Sequence, residues 1–311
     1  RECYDLVHVH GFKASLPGRL AAALAGTPVV YTVHNFVFEA GGRARRRAYL
    51  WAERLLAPLT AHYIAVSGAL RRDLVSQVHL DPRQVSVIYG GIPPHSPAAP
   101  ETLDALRQEL ALAPGVRVFL SAARLVPEKG VDLLLQAVAA LLRASRAGDA
   151  LPPLRLLVAG DGPEEASLRD LADRLELAGS VAFLGHRSDV PALLELADAV
   201  VLPSRAEGLS LFLLEALAAG RPVVAAAAGG MVEIVSDGEN GLLVPVEDPL
   251  ALAAALRRLL TEDGLARHLA ERARQSGARF TVEGMLQQTL DVYEKCRRPA
   301  RPSRTAGESN G

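Results

Sequence analysis

The 311 residues carry 34 Lys and Arg against 35 Asp and Glu, a formal net charge of −1, and 50% of them are hydrophobic. This balance is typical of a globular protein and gives no general attraction to nucleic acid or to a bilayer. No apolar run approaches the roughly 20 residues that a membrane-spanning helix needs. At this length one hydrophobic core is near its upper limit, so the sequence predicts two domains.

The two cysteines, Cys3 and Cys296, lie near opposite ends of the sequence. They indicate reduced thiols rather than a disulfide framework, which is typical of a cytoplasmic protein. The chain starts at Arg1, without Met, almost directly on a predicted strand. We interpret this start as an N-terminal truncation, so the lack of a visible signal peptide carries little weight.

The first 95 residues alternate between strand and helix patterns and predict an incomplete N-terminal domain. The predicted strands are 5–10, 28–34, 62–66 and 85–89, and the predicted helices are 16–25, 43–60 and 68–78. Such alternation predicts a parallel sheet with helices on both faces. The segment 90–100, rich in proline and glycine, follows as the predicted interdomain linker.

Residues 96–296 repeat this alternation and predict a second domain of the same class. The predicted strands are 116–122, 154–159, 181–184, 199–202, 222–226 and 241–244. The predicted helices are 130–145, 164–177, 190–196, 210–219, 231–236, 249–260, 265–276 and 282–296. We expect the last helix to pack back on the first domain. Residues 297–311 are predicted to form a disordered tail because their composition cannot form a core.

The segment 203–220 has the layout of a binding site. It follows a buried strand and contains Glu207, then a helix that is apolar on every side except at Ser210 and Glu215. Glu207 lies at the strand-to-helix turn, where backbone N–H groups and the positive end of the helix dipole converge. A buried carboxylate such as Glu215 needs hydrogen-bond donors to offset its desolvation.

Two cations follow the predicted strand 116–122, and ligands of parallel α/β sheets bind at the carboxyl ends of strands. Arg124 and Lys129 precede a helix start there, and such an arrangement would neutralise a diphosphate. An ordinary solvated loop with two surface cations is the alternative.

Other strand exits would line the same rim. Gly160–Pro163 resembles part of a dinucleotide fingerprint, but Glu165 occupies its third glycine position, so a tight turn is favoured over a cofactor loop. Phe183, Leu184, Gly185 and His186 leave the next strand, and an ordinary connector is the alternative there. The sequence contains no P-loop and no Asp-x-Asp triplet, so no dedicated metal–nucleotide site is indicated.

In the first half, His8, His10 and Lys13 surround the exit of the first strand, and His34 lies at the exit of the second. The two alternate histidines resemble a metal motif, yet a core or cleft histidine is favoured over a zinc ligand. The helix from Arg43 to Arg54 has a basic face. A solvated surface is favoured there, and contact with anionic lipid or a phosphorylated acceptor is the less favoured alternative.

In their order and spacing these motifs resemble the family 4 retaining glycosyltransferases, from about residue 3 to about residue 290. The residues that carry the resemblance are His8, His10, Lys13, 65–67, Arg124, Lys129, 160–163, 183–185, 204–207, Glu215, 229–230 and Glu233. The resemblance implies the GT-B architecture, in which two Rossmann-like α/β domains with parallel sheets face each other across a cleft. The first domain would be incomplete, because the family's opening strand and glycine-rich loop are absent.

The resemblance also implies a role for each site residue. Glu215 would accept hydrogen bonds from the ribose diol, and Glu207 would contact the donor sugar. The diphosphate would be bound by Arg124, Lys129 and the backbone N–H groups of Gly208, Leu209, Ser210 and Leu211. The base would lie along Phe183, Leu184, Gly185 and His186, and Gly160 is a further predicted donor-binding residue. Glu207, Arg124, Lys129 and His34, which would face the donor sugar, are the predicted catalytic residues.

The implied function is transfer of a hexose from a nucleoside-diphosphate sugar to a glycolipid or polysaccharide acceptor, without metal or other cofactor. We expect a bacterial, cytoplasmic enzyme, with weak peripheral contact at the inner membrane face and no nucleic-acid partner. A non-catalytic nucleotide-sugar-binding module is the alternative, and a redox Rossmann enzyme is disfavoured by the failed cofactor loop. The chain departs from the family at Ser210, where glycine is common, and at 89–91, where Pro-Asn-Gly is usual.

Overall fold

The computed structural model describes residues 4–35, 42–148 and 151–297. Cys3 and the predicted tail from residue 298 onwards lie outside these residues. The predicted α/β class with two parallel sheets is confirmed.

The first sheet, within the described residues, has four parallel strands in the order β1-β2-β3-β4. They are β1 (Val7–His10), β2 (Val29–Val33), β3 (His62–Ala65) and β4 (Val85–Val87). The helices between them are α1 (Gly11–Ala25), α2 (Gly42–Leu56) and α3 (Gly68–Asp73). Every residue of β2 is buried, which is why this strand is an almost continuous apolar run rather than an alternating one.

The second sheet has six parallel strands in the described residues, in the order β10-β9-β8-β5-β6-β7. They are β5 (Arg117–Ala122), β6 (Leu154–Ala159), β7 (Val181–Gly185), β8 (Ala199–Leu202), β9 (Val223–Ala226) and β10 (Leu242–Val244). Because β5 and β8 are neighbours, the loops that follow them begin side by side at the carboxyl edge of the sheet.

Helices cover both faces of this sheet. They are α4 (Pro100–Glu109), α5 (Val131–Arg146), α6 (Glu165–Arg174), α7 (Val190–Leu196), α8 (Leu211–Ala218), α9 (Met231–Ile234), α10 (Pro249–Thr261) and α11 (Leu265–Gly277). The sequence prediction did not include α4. Its first residue, Pro100, was assigned to the linker, although proline is common in the first turn of a helix.

The last helix, α12 (Val282–Cys296), packs against the first sheet. Val292 belongs to a buried cluster with Val30, Ile64 and Ile88. The Tyr293 hydroxyl lies 2.5 Å from Nδ1 of His8. The chain therefore returns to its first domain after completing the second.

A buried ion pair joins α1 and α2 in the first domain. Nη2 of Arg19 lies 2.7 Å from Oε1 of Glu53, and their side chains are 0% and 2% exposed. Nη1 of Arg19 also donates to the Tyr63 hydroxyl at 3.3 Å, and the guanidinium lies 4.7 Å from the centre of the Tyr31 ring. These contacts satisfy a charge that burial would otherwise penalise.

Candidate active site

A cavity of about 660 Å³ lies between the two domains at the carboxyl edges of the sheets. His34 and Ser67 line it from the first domain, and Arg124, Lys129 and Glu207 line it from the second. All four predicted catalytic residues therefore lie around one hollow, although they come from segments far apart in the sequence.

The Lys129 ammonium and the Glu207 carboxylate form an ion pair, with 2.6 Å between Nζ and Oε2. Lys129 ends a single 3-10 turn, Pro127–Lys129, in the loop after β5. Gly130 follows with φ +65°, and a Cβ there would overlap the carbonyl oxygen of Pro203. Only glycine lets the loops after β5 and β8 approach this closely, and their approach brings the lysine to the glutamate.

Arg205 fixes the loop that carries Glu207. Its backbone N–H donates to the carbonyl oxygen of Glu128 at 2.8 Å. Its guanidinium is paired with the carboxylates of Asp132 at 2.7 Å and Glu247 at 2.9 Å. Arg205 also lines the cavity, but these pairs engage its charge, so we assign it a structural role.

Two glycines hold backbone segments against the Glu207 loop. A Cβ on Gly208 would overlap the carbonyl oxygen of His34, which belongs to the other domain. Gly229, at φ +50°, lies against the carbonyl oxygen of Glu207 in the same way. The sequence marked both glycines, but not the close approach that requires them.

A second cavity, of about 310 Å³, reaches the amino end of α8. Ser210 and Leu211 line it together with Arg124, Lys129 and Glu207, which also line the larger cavity. The Ser210 hydroxyl caps α8 by accepting from the Leu213 N–H at 3.3 Å. Its φ is −86°, so the serine that replaces the family's usual glycine fits without backbone strain. The exposed Arg124 guanidinium has no hydrogen-bond partner among the described residues.

Glu215 lies four residues after Leu211 and therefore on the same face of α8. It is half-buried, and burial raises the pKa of its carboxyl. Within the described part of the chain no side chain or backbone group bonds this carboxylate. It does not line either of the two cavities.

Matches to two family models decide the classification. The model described as Glycosyl transferases group 1 matches residues 103–276, and the model described as Glycosyltransferase Family 4 matches residues 1–96. The chain belongs to the family 4 glycosyltransferases. It is a transferase with the GT-B fold that acts with nucleotide-sugar donors.

Individual relatives of this glycosyltransferase cover most of its length. A D-inositol 3-phosphate glycosyltransferase of Salinispora arenicola is 34% identical over 93% of this chain and 68% of its own. An Escherichia coli UDP-Gal:alpha-D-GlcNAc-diphosphoundecaprenol alpha-1,3-galactosyltransferase is 29% identical over 94% of this chain and 76% of its own. Among solved structures, Anabaena HepE in complex with UDP-glucose has a TM-score of 0.84 at 28% identity, covering 94% of this chain and 79% of HepE.

The segment assigned to the base lies beside these cavities of the glycosyltransferase rather than in them. The Gly160 N–H donates to the carbonyl oxygen of Gly185 at 2.7 Å. A Cβ on Gly160 would overlap the carbonyl oxygen of Ala123, so this glycine supports the loop that carries Arg124. The Phe183 ring lies 4.9 Å from the Arg169 guanidinium, on the side of α6. Leu184 packs against the core. His186, which follows the strand, lines neither cavity.

Three histidines of the glycosyltransferase, His8, His10 and His34, lie in a row beside the larger cavity. Nδ1 of His10 lies 3.1 Å from Nε2 of His34. His8 is bonded at both ring nitrogens, to Tyr293 and, at 2.7 Å, to the Thr32 hydroxyl. Burial, and then the neighbouring His10 and His34, lower the pKa of His8 to about 4. Within the described residues no group of three or more His, Cys, Asp or Glu side chains could hold a metal ion.

Sequence reasoning missed the part that Glu233 plays. Its position in the motif after Gly229 and Gly230 was noted, but no role was assigned to it. In the structure its carboxylate accepts a hydrogen bond from the Gly68 N–H, in the first turn of α3 in the other domain. No local pattern could have shown this contact, because it joins residues 165 positions apart.

Proposed function

We propose that this chain transfers a hexose from a uridine-diphosphate sugar to a hydroxyl of a glycolipid or polysaccharide acceptor, without a metal ion and with retention of anomeric configuration. The convergence of Arg124, Lys129 and the amino end of α8 on adjoining cavities beside Glu207 carries the proposal.

The chemistry requires stabilisation of a leaving diphosphate. As the bond between the anomeric carbon and the phosphate oxygen breaks, negative charge develops on that oxygen. Arg124, Lys129 and the positive end of the α8 dipole lie where such charge would be stabilised by preorganised groups. They accelerate the reaction only as far as they bind the departing diphosphate more strongly than the ground state.

The bond to the acceptor and the transfer of the acceptor proton take place in the same site. The acceptor oxygen bonds the anomeric carbon on the face that the diphosphate leaves, and the acceptor proton passes to the departing phosphate oxygen. Glu207, held by Lys129, would accept hydrogen bonds from the donor sugar's hydroxyls. Glu215, whose carboxylate is not bonded by described residues, would accept from the ribose diol.

UDP-glucose is the first donor to test because HepE, the relative with a TM-score of 0.84, has been solved with it. The acceptor proposal rests on the E. coli relative, whose name gives a diphosphoundecaprenol-linked sugar as its substrate. Assays should therefore offer UDP-glucose and UDP-galactose together with lipid-linked sugar acceptors.

The Lys129→Ala and Glu207→Gln variants test the proposed site. Removing one group that stabilises transition-state charge costs on the order of 100-fold in kcat, and we expect a loss of that order for Lys129→Ala. The Glu207→Gln variant should lose about tenfold or more, because a charge-assisted bond contributes about 1.5–3 kcal/mol. Initial rates of UDP release with acceptor measure both.

The exposed residues Lys295 and Glu294 on α12 provide matched controls as Lys295→Ala and Glu294→Gln. Near-normal turnover in both site variants would reject the assignment. Binding of UDP without any transfer by the unaltered protein would favour the nucleotide-sugar-binding module instead.

Peripheral membrane contact belongs to the same proposal. Among the described residues no helix combines the length and apolarity needed to cross a membrane. The helix α2 exposes Trp51 and Leu55, at 65% and 58%, beside the exposed Arg47. Aromatic, apolar and basic side chains together are typical of a helix that lies on an anionic bilayer. Co-sedimentation with vesicles containing anionic lipid should occur at low salt, and its absence would reject this contact.

A further inference from the structure

The carboxylate of Glu233 crosses the cleft between the domains. Glu233 lies on α9 in the second domain, and its Oε2 accepts from the Gly68 N–H at 2.7 Å. The adjacent N–H of Ala69 donates to Oε1. Both donors belong to the first turn of α3, in the first domain, where backbone N–H groups have no partner within the helix.

Two side chains of the first domain complete this group. The Tyr89 hydroxyl donates to Oε2 of Glu233 at 3.0 Å. Nη2 of Arg72 lies 3.3 Å from Oε1, but its side chain is 68% exposed, whereas that of Glu233 is 14% exposed. Exposed ion pairs contribute little. The bonds from the two backbone N–H groups and Tyr89 therefore carry most of the interaction, reinforced by the positive end of the α3 dipole.

Both ends of this contact continue directly into the walls of the larger cavity. On one side, α9 follows Gly230, whose N–H lies 3.3 Å from the carbonyl oxygen of Glu207. On the other side, α3 begins after Ser67, which caps that helix and lines the cavity. A Cβ on Gly230 would overlap the carbonyl oxygen of Gly208 and crowd the Ser67 side chain. The contact thus joins the domains within a few residues of the site.

We propose that Glu233 and Tyr89 are positioning residues that hold the two domains in the arrangement that places His34 against the Glu207–Gly208 loop. This inference rests on the proposed function, because His34 matters only if transfer takes place in this cleft. Neither residue touches the donor in this proposal. They act through the relative position of the domains.

If Glu233 and Tyr89 act in this way, weakening their contact should affect turnover but not nucleotide binding. The groups assigned to the nucleotide, Arg124, Lys129 and Glu215, all belong to the second domain and remain together when the domains part. His34 belongs to the first domain and would move away. A weakened contact should therefore lower kcat while the affinity for UDP is maintained.

The Glu233→Gln and Tyr89→Phe variants test this in the full chain. The first removes the charge without changing the shape. The second removes one hydroxyl and keeps the ring that lies 5.9 Å from the Phe280 ring. We expect kcat to fall about tenfold and about threefold respectively, with UDP dissociation constants within about twofold of the parent, in line with loss of charged and neutral hydrogen bonds. The double variant should lose less than the product of the two effects, because both changes break one contact.

Small-angle X-ray scattering with bound UDP gives a readout that does not depend on activity. The radius of gyration should increase in Glu233→Gln and stay unchanged in Glu239→Gln, a control at an exposed carboxylate of the same domain. Unchanged kcat and radius in both test variants would overturn the proposal. So would a fall in kcat matched by an equal loss of UDP affinity, since that would indicate damage to the second domain itself. If the unaltered protein turns over no nucleotide sugar, the proposed function fails, while the scattering still tests the domain contact.

Discussion

The charged side chains of the candidate site differ in whether another side chain of the protein pairs with their charge. Lys129 and Glu207 neutralise each other at 2.6 Å, while Glu215 and Arg124 have no bonding partner among the described residues. An anionic ligand can therefore bind Arg124 without breaking an internal bond, whereas binding at Lys129 requires that the ammonium be shared with Glu207. We expect Arg124 to contribute more to the affinity for free nucleotide, and Lys129 more to the stabilisation of the leaving group.

His8 makes the stability of the protein depend on pH. Its pKa is lowered to about 4, first by burial and then by His10 and His34, from 6.5 in an unfolded chain. Between pH 6.5 and 4 the unfolded state therefore binds more protons than the folded state, so this contribution is fully present above pH 6.5 and is lost as the pH falls. The slope is at most about 1 kcal/mol per pH unit, since His8 is only half-buried.

Replacement His8→Gln should reduce the fall in melting temperature between pH 7 and pH 5. Part of the fall should remain, because burial also lowers the pKa values of His34 and His62. Replacement of the exposed His268 provides the control. An unchanged pH dependence in His8→Gln would contradict this assignment.

At the scale of helices and strands, the prediction succeeded where a segment is buried on both faces. The strands β2 and β9 are buried at every residue, so their apolar runs located them to within a residue or two. The helix α4 was missed because its proline-rich start resembled the preceding linker. Its apolar residues Leu103 and Leu106, with Leu110 at its C-cap, follow helical spacing and could have indicated it.

The loops after β5 and β8 were predicted to be site segments, but their pairing depends on information that one sequence does not contain. Lys129 meets Glu207 because β5 and β8 are neighbours in the sheet, and strand order is set by the packing of the whole domain. The same holds for Gly208, whose contact with His34 requires the placement of one domain on the other.

Substitution Gly208→Ala should separate the loops at the domain boundary. Its Cβ would overlap the backbone carbonyl oxygen of His34, so the Glu207 loop or the whole domain must shift. A small displacement of catalytic groups can cost about 100-fold, and we expect kcat to fall by at least tenfold. Turnover and melting temperature should be measured together.

Gly284→Ala is the matched control for this substitution. A Cβ at Gly284, in α12, meets only the Thr281 hydroxyl oxygen, at 3.1 Å, and alanine stabilises a helix by up to about 1 kcal/mol relative to glycine. Full activity in Gly208→Ala would show that the cleft tolerates the extra atom and that the close approach is not required.

At the scale of the whole molecule, α12 and the Glu233 contact join the two domains at separate places. In α12, Val292 packs on the first sheet and Tyr293 is hydrogen-bonded to His8. The Glu233 carboxylate is hydrogen-bonded to the amino end of α3 beside the cavity. The sequence prediction placed the last helix on the first domain, but the contact made by Tyr89, at one of the departures from the family pattern, could not be foreseen.

The buried ion pair of Arg19 and Glu53 is a further contact that the sequence alone could not predict. Glu53 belongs to a helix whose basic face was predicted to be solvated, and charged residues are rarely buried unless paired. Their pairing depends on how α1 and α2 pack over the sheet, where Tyr63 and Tyr31 complete the surroundings of the guanidinium. The fold class was thus predictable, whereas the partner of each charge was not.

Calorimetric titration of UDP into the protein and into its Arg124→Ala variant tests most directly whether this cleft holds a pyrophosphate. A charge-assisted hydrogen bond contributes about 1.5–3 kcal/mol, and 1.4 kcal/mol is tenfold. The variant should therefore bind UDP at least about tenfold more weakly, while its affinity for uridine stays unchanged. The control variant Arg143→Ala, at an exposed position of α5, should bind UDP like the parent. Equal UDP affinities for the parent and the Arg124→Ala variant would contradict the account.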